Sequence, residues 1–266
     1  MLRGGNQMEA GTAQRGHVEA VRHVADIDLV IPAFNEEARI GETIATLHEV
    51  TSAASLDVRY IVVDNGCVDG TAEIVDRLDQ SGVPVELISC QTAGKGAAVR
   101  AGILHASAPF VGFCDADRST PPESVQQGLA LLRAGWEVVI GSRRCTGAGY
   151  EVTQSVSRRL GSFAFHAMAS RLTGPITDTQ CGFKLFSIAA AQRLFSDTSL
   201  NGFAFDVEIL ARAQSSGYRM IEMPIRWTDA EGSTFRPVAD GIRAFAELRA
   251  VRRALRRPPD PIGISA

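Results

Sequence analysis

Residues 26–71 read DIDLVIPAFNEEARIGETIATLHEVTSAASLDVRYIVVDNGCVDGT. Two apolar runs, 27–33 and 58–64, stand on either side of a segment, 36–50, that has the spacing of an amphipathic helix. A nearly continuous apolar run of this length predicts a strand buried on both faces, as in a parallel sheet. The segment therefore predicts a βαβ unit, in which the helix carries the chain back across the sheet.

The same alternation extends to residue 141. The sequence predicts further helices over 71–79, 96–107 and 124–134 and further strands over 83–89, 110–114 and 136–141. The second half predicts a loop and a helix over about 153–172, an edge strand over 183–186, a helix over 206–216, a strand over 219–224 and a terminal helix over 237–257. We therefore expect an α/β fold with a mostly parallel sheet flanked by helices and a mixed second half.

The composition excludes several classes of protein. Of the 266 residues, 45% are hydrophobic and 21% are charged, which excludes a fibrous or wholly disordered chain. The formal charge of −3 argues against a nucleic-acid partner, because such binding relies on the neutralisation of phosphates. The five cysteines are never spaced as CxxC, so the sequence predicts neither a disulfide framework nor a zinc site.

We expect one folded domain between two terminal segments. Residues 1–24 have little apolar periodicity and predict a flexible leader. The domain would comprise a first half over 25–142, a second half over 143–236 and a basic C-terminal helix over 237–257, with a tail over 258–266. The chain has neither a signal peptide nor an apolar run of about 18 residues, so we expect it to be cytoplasmic.

Four polar loops follow the predicted strands. They read PAFNEE over 32–37, DNGCVDGT over 64–71, TAGKG over 92–96 and DAD over 115–117. Ligands of open α/β sheets bind in the crevice outside the carboxyl ends of the strands. The sequence therefore predicts a single crevice lined by these four loops.

Three residues of these loops carry the predicted chemistry. Asp115 and Asp117 suit Mg²⁺ or Mn²⁺ bridging a diphosphate, although a solvated turn with two aspartates would read the same. Lys95 opens a helix that would favour an anion, or is solvated in an ordinary turn; the Walker A pattern is absent, which excludes a P-loop kinase. Asp64 either accepts a hydrogen bond from a nucleotide base or caps the turn before the next helix.

Together with GSR at 141–143, these loops resemble the family-two glycosyltransferases of GT-A fold, over about residues 26–253. The second half looks like the branch of polyprenyl-phosphate sugar synthases that includes dolichyl-phosphate β-glucosyltransferase. The runs that carry this resemblance are DTQCGFKLF at 178–186, FAFDVEIL at 203–210, EMPIRW at 222–227 and EGS at 231–233. The resemblance implies a GT-A, Rossmann-like sheet and inverting transfer of a hexose from a nucleotide diphosphate sugar. It makes 25–142 the nucleotide-sugar-binding half and 143–236 the acceptor half.

The resemblance also implies roles for single residues. The nucleotide sugar would be held by Pro32, Phe34, Glu36, Asp64, Lys95 and Asp115. Asp117, with Asp115, would coordinate Mg²⁺ or Mn²⁺, and the catalytic set would be Asp117, Arg143, Arg158 and Asp178. The acceptor side would comprise Arg159, Gln180, Lys184, Asp206 and Glu208. A solvated helix face is the alternative for Arg158 and Arg159, and a salt bridge or a helix cap is the alternative for Asp206 and Glu208.

Several positions depart from the family pattern. Asn65 and Cys67 stand where aspartate and serine are common. Arg118 and Ser119 follow Asp117 where mannose-transferring relatives often have Leu-Gln, which disfavours a mannose donor and a metal ligand beyond Asp117.

The acceptor determines whether the reaction needs a general base. A lipid monophosphate needs none, because the second pKa of a phosphate monoester is about 6. A hydroxyl acceptor would need one, with Asp178 and Asp206 as candidates. The expected reaction moves glucose from UDP-glucose to a polyprenyl or dolichyl-type phosphate. The alternatives are a soluble hydroxyl acceptor and a nucleotide-sugar binding protein without turnover.

The terminal helix predicts contact with a membrane. Its apolar residues Phe245, Leu248, Val251 and Leu255 are interleaved with Arg249, Arg252, Arg253, Arg256 and Arg257. This pattern suits a helix lying on an anionic lipid surface, peripherally at the inner face of the cell membrane. The alternative is an amphipathic helix packed on the domain.

Overall fold

The first half of the chain alternates strands and helices in the computed structural model, which describes residues 24–150, 169–227, 246, 248–253 and 255. The elements are β1 Ile27–Ala33, α1 Ile40–Ala53, β2 Val58–Asp64, α2 Thr71–Gln80, β3 Val85–Ser89, α3 Lys95–His105, β4 Phe110–Phe113, α4 Glu123–Arg133 and β5 Val138–Ser142. The predicted alternation is confirmed, and β1 and β2 have the predicted bounds.

The second half contains shorter elements. They are β6 Gly149–Tyr150, β7 Lys184–Ser187, α5 Ile188–Ser196, α6 Phe205–Ser215, β8 Met220–Pro224 and β9 Arg226–Trp227. Residues 169–173 and 248–253 are also helical. Almost all of the predicted leader, and most of the predicted helices over 153–172 and 237–257, lie outside the described residues.

Seven strands form one sheet, in the order β3-β2-β1-β4-β7-β5-β8. All neighbours are parallel except at β7, which is antiparallel to β4 and to β5. The prediction of an edge strand here was wrong, because β7 lies inside the sheet. Leu185 and Phe186 are both fully buried and pack on opposite faces, so both faces of this short strand are covered.

The core consists of two layers, one on each face of the sheet. On one face, Leu29 and Ile31 of β1 pack with Ile44 of α1. On the other face, Val30 packs with Val99 of α3. Neighbouring residues of β1 thus enter different layers, as the alternation of side chains along a strand requires. Because β1 to β4 are parallel, the polar loops that follow them gather at one edge of the sheet, at the carboxyl ends of these strands.

The described part of the terminal segment packs on the domain. Leu248 and Val251 are buried beside Val207 of α6. The expectation that the apolar side of this helix lies on lipid is therefore wrong for Leu248 and Val251, which contact protein instead. The neighbouring Arg249 and Arg252 are exposed. None of the helices among the described residues is long and apolar enough to cross a membrane.

Candidate active site

The loops that follow β1 and β2 are joined by hydrogen bonds. Ala33 lies opposite Asp64, so the two strands end at the same level. Thr71 Oγ1 accepts a hydrogen bond from the amide of Glu36 at 2.9 Å. Asn35 Oδ1 accepts one from the amide of Val68, also at 2.9 Å. The two loops therefore form one wall of the predicted crevice.

This wall carries the residues expected to hold a nucleoside. Phe34 is 63% exposed, and an exposed aromatic ring offers a surface on which a base can stack. Pro32, two residues before Phe34 in the sequence, is half-buried. Asp64 Oδ1 accepts hydrogen bonds from the amides of Gly66 and Cys67, at 3.0 and 2.8 Å. Asp64 Oδ1 thus stabilises the turn that follows β2, as expected if Asp64 caps this turn.

Asn65 connects this wall to the loop that precedes α3. Its side-chain amide donates to the carbonyl oxygens of Cys90 and Thr92, at 3.1 and 2.7 Å, and its Oδ1 accepts from the amide of Gly94 at 2.8 Å. An aspartate carboxylate could not donate the first two of these bonds. The sequence marked Asn65 only as a departure from the family pattern, whereas the structure gives it a positioning role.

Lys95 reaches the first aspartate of the DAD motif. Its Nζ lies 2.5 Å from Asp115 Oδ1, and both side chains are about one-fifth exposed. Burial alone would lower the pKa of Lys95, but the charges of Asp115, Asp206 and Asp117 outweigh it and raise the pKa. Lys95 is therefore a charged ammonium paired with a carboxylate in the crevice.

The glycines around Lys95 serve close packing. The Gly96 amide donates to the carbonyl oxygen of Asn201 at 2.9 Å, and a Cβ on Gly96 would lie 2.8 Å from the Cβ of Phe205. Gly94 has φ +122°, and its amide donates a hydrogen bond to Asn65 Oδ1. The amides of Gly94 and Gly96 are thus bonded within the protein and are not directed at an anion at the start of α3. The side chain of Lys95 is left as the anion-binding group of the turn.

Glu36 lies near the two aspartates of the DAD motif. Burial raises the pKa of Glu36, and the negative charges of Asp117 and Asp115 raise it further. Arg39, whose Nε donates to Glu36 Oε2 at 2.8 Å, opposes this rise. Gly182 lies directly under the Asp115 carboxylate, since a Cβ there would contact both carboxylate oxygens. The absence of a side chain at Gly182 is therefore what gives Asp115 its position.

The donor set of this cluster fits a hard divalent ion. Asp117 uses Oδ1 to accept from the amide of Ser119 at 3.0 Å. Among the described residues, no three His, Cys, Asp or Glu side chains are arranged to enclose a metal. Mg²⁺ in proteins is commonly held by one or two carboxylates together with substrate phosphates, so Asp117 and Asp115 match that mode of binding.

The crevice deepens beside Asp115. A cavity of about 280 Å³ lies between α1 and the loop that follows β4, and Thr43, Thr120 and Phe183 are among its lining residues. The hydroxyl of Thr43 donates to the carbonyl oxygen of Ala116 at 2.6 Å. The buried hydroxyl of Thr120 has no hydrogen-bond partner within the described ranges. This recess can therefore offer at least one polar group to a ligand.

Arg143 and Asp178 form a two-pronged ion pair. Nε donates to Oδ2 at 2.7 Å and Nη2 donates to Oδ1 at 2.8 Å, while the Arg143 amide also bonds Oδ2 at 3.0 Å. Burial would raise the pKa of Asp178, but Arg143 holds it below its usual value. Both oxygens of Asp178 are thus committed to orienting Arg143.

Glu222 of β8 supports this pair from behind. Its Oε1 accepts from the Asp178 amide at 3.0 Å and from the Thr177 hydroxyl at 2.7 Å, and its Oε2 accepts from the Thr177 amide at 2.9 Å. Sequence reasoning missed Glu222, and the only available signal was a carboxylate inside a predicted strand.

Lys184 is buried inside the domain. It has no exposed surface, and its Nζ donates to Asp206 Oδ1 at 2.6 Å and to the carbonyl oxygen of Cys181 at 2.8 Å. Burial raises the pKa of Asp206, against the opposing charges of Lys184 and Lys95. The expectation that Lys184 faces the acceptor is wrong, because β7 is an interior strand. Asp206 takes the salt-bridge alternative.

Of the other residues predicted for the acceptor side, the structure describes Glu208 and Gln180. Glu208 is fully buried and accepts from the amides of Ser199 and Leu200 and from Arg212, so it takes the capping and salt-bridge alternative. Gln180 Nε2 donates to the carbonyl oxygen of Phe203 at 3.4 Å, beside the turn that contacts α3. Arg158 and Arg159 lie outside the described residues.

Comparison with known proteins gives a consistent picture. The model of the family described as "Glycosyl transferase family 2" matches residues 28–195. A dolichyl-phosphate beta-glucosyltransferase of Drosophila melanogaster is 34% identical over 230 residues, covering 80% of this chain and 70% of the relative. The human protein of that name is 31% identical over 242 residues, covering 85% and 74%.

Solved structures share the fold. Glucosyl-3-phosphoglycerate synthase of Mycobacterium tuberculosis, in complex with Mn²⁺, UDP and glucosyl-3-phosphoglycerate, aligns with a TM-score of 0.61 at 21% identity, over 87% of this chain and 78% of that one. Mannosyl-3-phosphoglycerate synthase of Rubrobacter xylanophilus aligns with a TM-score of 0.66 at 19% identity, over 89% and 78%. At these identities the likeness concerns the fold alone.

Proposed function

The chain belongs to glycosyl transferase family 2, and from that membership we propose that it moves glucose from UDP-glucose to a polyprenyl or dolichyl-type lipid phosphate, with inversion at the anomeric carbon. The GT-A fold predicted from the sequence is confirmed, and the chain is a hexosyltransferase. Relatives that it matches over more than two-thirds of their length carry the name dolichyl-phosphate beta-glucosyltransferase, which supports the lipid phosphate as acceptor.

One observation in the site favours a phosphate acceptor. Both carboxylates that could serve a hydroxyl acceptor as general base are committed to ion pairs, Asp178 with Arg143 and Asp206 with Lys184. A base must reach the proton that it removes, and Asp206 is buried. An ionised phosphate monoester attacks without losing a proton, so this site suits it.

The nucleotide sugar would bind against the wall formed by the loops after β1 and β2. Pro32, Phe34, Glu36 and Asp64 would hold the nucleoside, with Lys95 and Asp115 next to it. Asp117, with Asp115, would hold Mg²⁺ or Mn²⁺, which supplies neutralisation of the charge that develops on the leaving nucleoside diphosphate.

The acceptor end is organised by Arg143. Asp178 fixes the plane of the guanidinium group, and the Arg143 side chain remains 19% exposed. A guanidinium group is always charged and binds phosphate oxygens through its planar fork. Arg143 would therefore face the donor diphosphate, and Arg158 or Arg159 the acceptor phosphate, while Gln180 lines the acceptor side. Catalysis would rest on in-line placement of the phosphate oxygen and stabilisation of the leaving group.

Product analysis tests this proposal. The purified protein is incubated with Mg²⁺ or Mn²⁺ and a panel of nucleotide sugars, with either a polyprenyl phosphate or soluble alcohols, and products are identified by mass. We expect a glucosylated polyprenyl phosphate from UDP-glucose, formed about 1000-fold more slowly by the Asp117→Asn variant. Transfer to alcohols alone would contradict the lipid phosphate and leave the family membership intact.

We also propose peripheral contact with the membrane that carries the acceptor. Arg249, Arg252 and Arg253 are exposed on a segment whose apolar side is packed on α6. Such arginines can be attracted to anionic lipid without insertion of apolar side chains.

A further inference from the structure

Lys184 and Asp206 form a buried ion pair in the carboxyl-end half of the domain. The side chains of Lys184 and Asp206 are 0% and 5% exposed, and their charged atoms are 2.6 Å apart. Lys184 is further fixed by the carbonyl oxygen of Cys181 and by the ring of Phe113, whose centroid lies 5.5 Å from Nζ. Buried ion pairs often contribute little to stability, because desolvation offsets their attraction. The position of this pair therefore calls for another explanation.

The first turns of α3 and α6 touch each other, one residue away from Asp206. A Cβ on Gly96 would lie 2.8 Å from the Cβ of Phe205, and the Gly96 amide donates to the carbonyl oxygen of Asn201. Lys95 precedes Gly96, and Asp206 follows Phe205. The backbone contact thus brings the charge of Asp206 close to Lys95.

The charges alternate in sign from the core to the crevice. Lys184 is bonded to Asp206, and Lys95 is bonded to Asp115. The Gly96–Phe205 contact joins the two pairs, because Lys95 directly precedes Gly96 in α3 and Asp206 directly follows Phe205 in α6. Asp206 is thus bonded to Lys184 in the core and lies one residue from the contact that carries Lys95.

We propose that Asp206 and Lys184 are positioning residues for Lys95, holding its ammonium group where it meets the diphosphate of the nucleotide sugar; this inference rests on the proposed function. Asp115 cannot be the whole counter-charge of Lys95 if it also binds a metal ion. Asp206 keeps its position in the core and can supply the remainder. Lys184 balances the charge of Asp206, so Lys95 gains a counter-charge without adding net negative charge beside the diphosphate.

A double-mutant cycle on UDP binding tests this coupling. UDP affinity is measured by calorimetry with Mg²⁺ for the wild type, Asp206→Asn, Lys95→Met and the double variant. We expect Lys95→Met to weaken binding about 30-fold and Asp206→Asn about tenfold. If Asp206 acts through Lys95, the double variant binds UDP as Lys95→Met does, within about twofold. Fold-changes that multiply in the double variant would overturn the proposal.

Matched variants separate positioning from folding. Asp28→Asn removes a buried carboxylate at the opposite end of the sheet, and we expect a lower melting temperature with unchanged UDP affinity. If Asp206→Asn does not fold, Lys184→Met/Asp206→Leu replaces the pair with apolar side chains and enters the cycle as one change. A wild type that binds no nucleoside diphosphate would contradict the proposed function itself. Binding that is insensitive to the pair would contradict only this inference.

Discussion

The two ends of the sheet each bury an aspartate beside a basic residue, but they complete its hydrogen bonds differently. At the amino end, Asp28 accepts from Arg59 at 2.8 and 2.7 Å and from the amides of Ser107 and Ala108 at 2.7 and 2.9 Å. Burial would raise the pKa of Asp28, but Arg59 and these amides hold it below its usual value. At the carboxyl end, burial prevails and the pKa of Asp206 is raised.

The difference separates a structural site from a functional one. Asp28 accepts two bonds from Arg59 and two from backbone amides, so it fixes how β1, β2 and the turn after α3 pack together. The carboxyl end holds Lys95, Asp115, Asp117 and Glu36 close together, and like charges there oppose one another. A ligand that brings phosphates and a cation would relieve that opposition. Substitutions at the two ends should therefore affect different measurements.

The largest effect is expected at the carboxyl end. Asp117→Asn removes a carboxylate that we assign to the metal, and we expect the rate of glucosyl transfer to fall about 1000-fold, because charge on the leaving group is no longer balanced. The melting temperature should change by no more than about 2 °C, since within the described part of the chain Asp117 accepts a single hydrogen bond, from the Ser119 amide, which an asparagine Oδ1 can also accept. Rate and melting temperature are measured on the same preparation. A large loss of stability with an unchanged rate of transfer would contradict the functional role that we assign to the carboxyl end.

The amino end should show the opposite behaviour. Asp28→Asn leaves Arg59 without its buried partner, and we expect the free energy of unfolding to fall by about 3 kcal/mol, with transfer unchanged well below the melting temperature. The pKa of Asp28 is lowered in the folded state, so its contribution is present above the unfolded value of about 3.9 and is lost as the pH falls through the folded pKa. Denaturant unfolding between pH 6 and pH 3 should therefore show a shallower acid loss in Asp28→Asn. An equally steep loss would show that Asp28 does not carry it.

A glycine tests whether the crevice depends on the position of one carboxylate. In Gly182→Ala the new Cβ would contact the Asp115 carboxylate, and we expect transfer to fall about 30-fold as Asp115 moves away from Lys95. Gly41→Ala in α1 is the control, because its Cβ would lie 3.1 Å from a methyl group of Ile74 that can yield. Transfer by Gly41→Ala should match the wild type. Equal losses in the two variants would mean that the Asp115 contact is not the cause.

The sequence predicted the elements whose signals are local. β1 and β2 have the predicted bounds because their apolar runs are bordered by polar residues. α5 was missed because it begins directly after β7, with no turn residues between; its one local signal is the Ser187 hydroxyl, which accepts from the amide of Ala190. β7 was misplaced because a short apolar run looks the same at the edge of a sheet and in its interior.

The same limit applies to the site. The topology alone predicts that the loops after β1, β2 and β4 share one rim, and the structure brings Asp64, Lys95, Asp115 and Asp117 to it. The partners of those residues were not predictable, because they come from far along the chain: Glu222 bonds Asp178 across 44 residues, and Lys184 pairs with Asp206 across 22. A lysine in a predicted edge strand looks accessible in sequence, and only the interior position of β7 shows that Lys184 is buried.

The smallest effect concerns the exposed arginines of the terminal segment, which carry positive charge that the carboxyl-end network does not use. Arg252→Gln should weaken sedimentation with vesicles containing anionic lipid about fivefold, since a basic residue near such a surface contributes about 1 kcal/mol. Arg133→Gln is the matched control, because Arg133 is exposed and pairs with Asp26 just before β1, at the amino end. Both variants keep their apolar neighbours, so a loss confined to Arg252→Gln would assign the effect to charge at one place on the molecule. Equal losses would indicate a response to net charge alone, and a wild type that does not sediment with anionic vesicles would contradict the peripheral contact.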